Sequence, residues 1–146
     1  KVHNLNPDYF SYTVSKLALA HSVALQADGT LVRRGRELLE QEIERFKNYL
    51  QEYGISLADL LAGCPRTVKT REEANRIARI VASDREMSRT LVEKKVLPQK
   101  MILKHCGANQ KLVDRYRKYI VAHALISIHK LSALAEYVEP AEGGGH

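Results

Sequence analysis

The sequence predicts an all-α, multi-helix domain containing a helix-turn-helix, and three observations carry that expectation. Apolar residues recur at three- and four-residue spacing through most of the chain. Three Ser or Thr residues stand three positions ahead of an acidic one, the spacing of a helix capping box: Ser56/Asp59, Thr70/Glu73 and Ser83/Glu86. A single glycine, Gly107, separates two partly apolar segments of which the second is basic, the layout of a helix-turn-helix. No stretch alternates with the period-two pattern of a half-buried sheet, and no repeat occurs at solenoid periods.

Taken in order, residues 1–35 read as an N-terminal helical segment and linker. "DYFSYTVSKLALAHSVAL" suits a helix, and Asp28-Gly29 breaks it. From Arg36 to Tyr53, the residues Leu39, Ile43, Phe46 and Leu50 form one apolar stripe, and Gly54 follows where a left-handed C-cap is expected. Ser56 with Asp59 opens a short helix that stops at Gly63, and Gly63 and Pro65 fix the loop "GCPRTVK".

Thr70 with Glu73 is expected to open a helix carrying Ala74, Ile77, Ala78 and Val81 on one side. Ser83 with Glu86 is expected to open another, through Met87, Leu91 and Val92. Pro98 suits a helix start, so "QKMILKHC" forms a short helix ending at the Gly107 turn. Asn109 is a favourable N-cap, and the second helix of the pair runs from Gln110 to about Ser127. Residues 36–139 thus form the C-terminal domain and 140–146 a flexible tail. The chain starts at Lys1 without Met and reads as a fragment of a longer protein.

Composition narrows the function. The 146 residues include 45% apolar ones, enough for a core in one domain with an arm. Lys and Arg number 23 against 17 Asp and Glu, a formal charge of +6, which favours a polyanionic partner. The charge is also segregated. Acids outnumber bases six to three from Arg36 to Asp59, whereas Lys100 to Lys130 carries seven bases and one acid, Asp114. Cys64 and Cys106 form no CxxC pair, consistent with a reduced, cytoplasmic protein. No apolar run reaches the length of a membrane span, and no signal peptide is visible.

Projected at helical spacing, the second helix of the pair turns Leu112, Val113, Tyr116, Tyr119, Ile120 and His123 inward. Lys111, Asp114, Arg115 and Lys118 fall on the opposite face, with Gln110 and Arg117 on a flank. That edge suits double-stranded DNA, because Arg and Lys pair with guanine O6 and N7, and Asn or Gln with adenine. Gln110, Lys111, Asp114 and Arg115 are the candidate base readers, with Asn109 at the start of the helix. Arg117, Lys118, Lys100 and Lys104 are the candidate phosphate contacts. Asp114 could accept from a cytosine amine or orient Arg115 or Lys118. A solvated basic face on an ordinary helical hairpin is the alternative from pattern alone. Beyond Ile120 the sequence "VAHALI" is apolar nearly all round, which indicates burial.

Other chemistries find little support. Tyr12 and Lys16 have the Y-x-x-x-K spacing of a short-chain dehydrogenase active site, but no glycine-rich cofactor turn precedes them. His105 and Cys106 are adjacent, and His123 and His129 lie six apart, so neither pair has the spacing of a shared metal. No P-loop or acid/base carboxylate pair is present. The expectation is a non-enzyme that needs no cofactor.

Four segments, in this order, resemble the C-terminal domain of the sigma-I (SigI) family of bacterial RNA polymerase sigma factors. They are "YLQEYGISLADLL", "KTREEANRIARIV", "LVEKKVLPQKMILKHCGANQKLVDRYRKYIVAHALI" and "LAEYVE". The likeness covers roughly Arg45 to Val138, and "RKYIVAHALI" is its most specific part. It implies recognition of the promoter −35 element by the helix-turn-helix, core RNA polymerase as a partner, and a membrane-anchored anti-sigma factor. It also implies a role in a stress or extracellular polysaccharide response. "YFSYTVSKLAL" faintly resembles the end of the family's region 2.

Where the family usually reads "SRKT", this chain has Asn109, Gln110, Lys111 and Leu112. Where the family reads "ERNR", it has Asp114, Arg115, Tyr116 and Arg117. One arginine is thereby absent from a base-reading position. A second reading keeps the fold but makes the domain a surface for an anti-sigma factor or polymerase, with little DNA affinity of its own. Val121 and Leu125, taken as outward-facing, motivate it.

Overall fold

The computed structural model describes the backbone of residues 30–138 and the side chains of residues 37–135. The expected helix before Asp28, the Tyr12/Lys16 pair and the tail from 140 lie outside the described residues. Within them the architecture is all-α, with α1 (Thr30–Gln51), α2 (Leu57–Ala62), α3 (Val68–Ser83), α4 (Arg85–Lys94), α5 (Gln99–Cys106), α6 (Gln110–Arg115), α7 (Arg117–Ile128) and α8 (Ser132–Val138).

The long α1 buries Phe46 and Leu50, with Leu39 and Ile43 partly covered, as the stripe requires. It closes at Gly54, whose φ of 70° is the left-handed turn expected there. Ser56 and Asp59 form the capping box of α2: the Ser56 side chain accepts from the Asp59 N–H, and the Asp59 carboxylate accepts from the Ser56 N–H.

The next two caps differ from expectation. Helix α3 starts three residues early, capped by Thr67, whose hydroxyl accepts from the Thr70 N–H. Helix α4 is capped by Asp84 rather than Ser83, with the Asp84 carboxylate accepting from the Met87 N–H. In both places two overlapping registers offer a polar residue three positions ahead of a free N–H. The buried sets are those expected, Ala74, Ile77, Ala78 and Val81 on α3 and Met87 and Leu91 on α4, and only the capping residue differs.

Helix α7 occupies the centre. It packs chiefly on α3 and also touches α1, α2, α6 and α8. Its residues Tyr119 to Ile126 are all buried, the all-round burial that an all-round apolar sequence demands. Val121 and Leu125 are therefore 1% and 0% exposed. This corrects their expected outward placement: both lie inside the core cluster, and neither residue offers a surface to a partner.

The C-terminal α8 is held from a distance. Its N-terminal flank is Leu131, which has no capping oxygen, and the buried Glu42 of α1 accepts from the Leu134 N–H at 2.9 Å instead.

Candidate nucleic-acid interface

The site is built on the α5–α6 pair. Helix α5 faces the core with Ile102 and Cys106, which leaves Lys100 and Lys104 exposed. It ends at Gly107, whose φ of 63° and ψ of 29° make the left-handed turn. No atom lies within 4 Å of where a Cβ on Gly107 would stand, so backbone conformation rather than space selects glycine here. Two residues later Asn109 caps α6, its side-chain oxygen accepting from the N–H groups of Lys111 and Leu112 at 2.8 and 3.2 Å.

Helix α6 buries Val113 and half-buries Leu112, while Gln110, Lys111, Asp114 and Arg115 are exposed. The Arg115 guanidinium lies over the Tyr116 ring, 5.5 Å from its centroid, which keeps a long side chain close to the helix surface. The segment expected as one helix from Gln110 to Ser127 is divided at Tyr116, where φ is −107° and ψ 26°. The break separates the polar-edged α6 from the buried α7. Tyr116 still donates its N–H to the Leu112 carbonyl and accepts from the Ile120 N–H, so few backbone bonds are lost there.

Arg117 is exposed just past the break. Lys118 is half-buried, and its Nζ lies 3.4 Å from the Asp59 carboxylate of α2, so its ion pair is made with Asp59 rather than Asp114. Hydrogen bonds from the Ser56 N–H and from Lys118 hold Asp59 below the usual aspartate range. A shallow cleft lined by Asp59, Asp114, Arg115, Arg117 and Lys118 marks this edge. All nine candidate residues thus lie on α5, the turn, α6 or the first turn of α7. Asn109 spends its oxygen on the cap, and Lys118 is already paired.

Three features had no signal in the sequence. Asp59 reaches the edge from α2. Arg76 of α3 donates to the Cys106 carbonyl at 3.0 Å, directly at the turn, and is held by a two-point pair with Glu73. Lys69 and Arg79 join Arg76 in an open groove between α3 and Leu112. Only pairing across 30 or more residues places these groups, and local pattern carries none of it.

Burial pushes the Cys106 thiol up, against the opposing pull of Arg76, so it stays protonated and suits packing rather than nucleophilic attack. Among the described residues no three His, Cys, Asp or Glu side chains gather as a metal site, and no helix is long and apolar enough to cross a membrane.

No family model matches the chain. Several curated proteins do. RNA polymerase sigma factor SigI3 of Acetivibrio thermocellus is 42% identical over 107 residues, 73% of this chain and 43% of that protein. Sigma factor SigI of Bacillus anthracis is 30% identical over 107 residues, 73% and 43% of the two chains. SigI of Bacillus subtilis is 30% identical over 104 residues, 71% and 41%. The chain therefore spans less than half the length of these relatives. The chain belongs to the SigI family of RNA polymerase sigma factors and corresponds to their C-terminal domain.

Proposed function

We propose that this domain recognises the promoter −35 element by placing α6 in the DNA major groove. The observation that supports this reading best is the turn itself. A left-handed Gly107 and an Asn109 cap present Gln110, Lys111, Asp114 and Arg115 together on the first turns of a short, solvent-facing helix. Residues at the start of such a helix are the ones that reach base edges. Lys100 and Lys104 on α5, with Arg117 beyond the break, then flank the groove as phosphate contacts.

In the whole sigma factor the domain works with core RNA polymerase in the cytoplasm. A membrane-anchored anti-sigma factor holding it in reserve fits the family likeness, as does service in a stress or polysaccharide response. The competing reading, a protein-binding surface without DNA affinity, loses its motivation with Val121 and Leu125 in the core.

Selection from a random duplex library with the 146-residue chain tests the proposal. The expected result is a short consensus bound with log K falling steeply against log salt. Arg115→Ala is expected to relax base preference at one position, by about 1–3 kcal/mol. Enrichment of no consensus, or binding indifferent to salt, overturns it.

A further inference from the structure

We propose that Arg76 is a positioning residue for DNA recognition: it acts as the missing C-terminal cap of α5 and thereby sets the angle at which α6 is presented. The inference rests on the DNA-binding reading for its consequence and on geometry alone for its mechanism.

A helix leaves its last carbonyls without intrahelical partners, and the residue after the helix commonly supplies an N–H to one of them. Helices α2, α3, α4, α6 and α7 follow that rule: the N–H groups of Gly63, Asp84, Lys95, Tyr116 and His129 each donate back into their own helix. At α5 no such bond is made by Gly107, although its left-handed φ is the one such caps use. Another of the four end carbonyls, that of Cys106, takes its partner from α3, where Arg76 Nη2 donates to it at 3.0 Å.

A guanidinium at that point also meets the negative end of the α5 dipole. Arg76 is itself oriented, because its Nε and Nη2 donate to the two Glu73 oxygens at 3.0 and 2.7 Å. That hydrogen bonding holds the Glu73 carboxyl below its ordinary range, so the fork is kept at neutral pH. The chain from Glu73 through Arg76 to Cys106 therefore ties the turn to α3, the helix on which the central α7 packs. Loss of the tie leaves α6 attached through Val113, the half-buried Leu112 and its backbone connections, and lets it rotate.

The competing role for Arg76 is a phosphate contact, since its side chain is 41% exposed and lines the open groove beside Leu112. The two roles separate experimentally. Arg76→Met and Arg76→Lys are compared with the wild-type chain on the selected duplex and on a scrambled duplex of equal length. As a cap, Arg76 sets selectivity. Both variants are expected to lose about ten-fold in the ratio of selected to scrambled binding while the salt slope stays unchanged.

Lysine does not restore the ratio, because a point charge cannot fork to Glu73 and reach the carbonyl at once. Full rescue by Lys, or a slope reduced by about 0.9 with the ratio intact, identifies a phosphate contact and overturns the proposal. Amide hydrogen exchange provides the DNA-independent readout. Residues 107–112 are expected to exchange about ten-fold faster in both variants, with α3 and α7 protected as in the wild type. Unchanged exchange at the turn overturns the cap even if wild-type DNA selection fails. Loss of protection in α3 and α7 as well means Arg76 supports the whole fold, which also overturns it.

Discussion

At the scale of single residues, the interface carries its own competitor for phosphate. Lys118 has the charge and position of a DNA-backbone contact, yet its ammonium already faces the Asp59 carboxylate. A phosphate can recruit it only by displacing that pair, and a partly solvated pair of this kind is weak. Asp59→Asn removes the competing charge and keeps an oxygen that can accept from the Ser56 N–H, so the capping box survives. The variant is expected to bind any duplex more tightly, with a salt slope steeper by up to about 0.9 and an unchanged consensus, measured by titration across salt concentrations. A slope equal to wild type removes Lys118 from the phosphate contacts.

The Asp59 carboxyl is also depressed in the fold. Its contribution to stability is therefore present at neutral pH and is lost only as pH falls through the acidic carboxylate range. Of these residues the sequence made Lys118 legible through charge and helical projection. Asp59 was legible only as a cap, because nothing local tells that α2 will lie against the start of α7.

At the scale of elements, the ends of helices decide what could be read. Gly54, Gly107, Asn109 and the Ser56/Asp59 box were each legible, since one residue type at one position satisfies a backbone group nearby. Thr70 and Ser83 were read as caps, but Thr67 and Asp84 hold those places. Capping signatures overlapped, and the apolar pattern is the same whichever polar residue caps, so it could not choose between them. The division at Tyr116 had no breaker residue to announce it.

The junction of α1 and α7 was equally silent, although it carries a pH response. His129, the C-cap of α7, stacks on Tyr49 of α1 with ring centroids 3.6 Å apart and planes 6° from parallel. Burial lowers its pKa most, the Arg45 charge lowers it further, and Glu52 opposes them ahead of a smaller lowering by Lys95. The folded state thus favours neutral imidazole. The unfolded chain takes up the proton first as pH falls, so this residue's contribution is full above the unfolded value and is lost below it. Thermal midpoints are expected to drop between about pH 7 and pH 5, and His129→Phe, which keeps the stack, is expected to flatten that portion of the curve. An identical slope in the variant places the titration elsewhere.

At the scale of the whole molecule, charge segregation and packing point the same way. Helix α1 and the turn that follows it carry the exposed acids Glu37, Glu44 and Glu52, and α1 rests on α7 and α8. Helices α5 and α6, with Lys100, Lys104, Lys111 and Arg115 exposed, rest on α3 and α7. The acid-rich stretch 37–59 and the basic α5–α6 pair thus lie on different elements, which biases how the domain meets a polyanion before any base is touched. This asymmetry separates affinity from choice.

Lys100 and Lys104 lie on the helix before the turn, are exposed, and make no ion pair with an acidic side chain among the described residues. Replacing both with Ala is expected to leave thermal stability within about 0.5 kcal/mol of wild type, as for surface changes in general. The same double variant is expected to reduce the slope of log K against log salt by about 1.8, two phosphates' worth, on selected and scrambled duplexes alike. Selectivity between the duplexes should be preserved, because phosphate contacts set position and carry no sequence information. If selectivity falls together with affinity, α5 rather than α6 lies against the bases, and the geometry proposed for the pair is reversed.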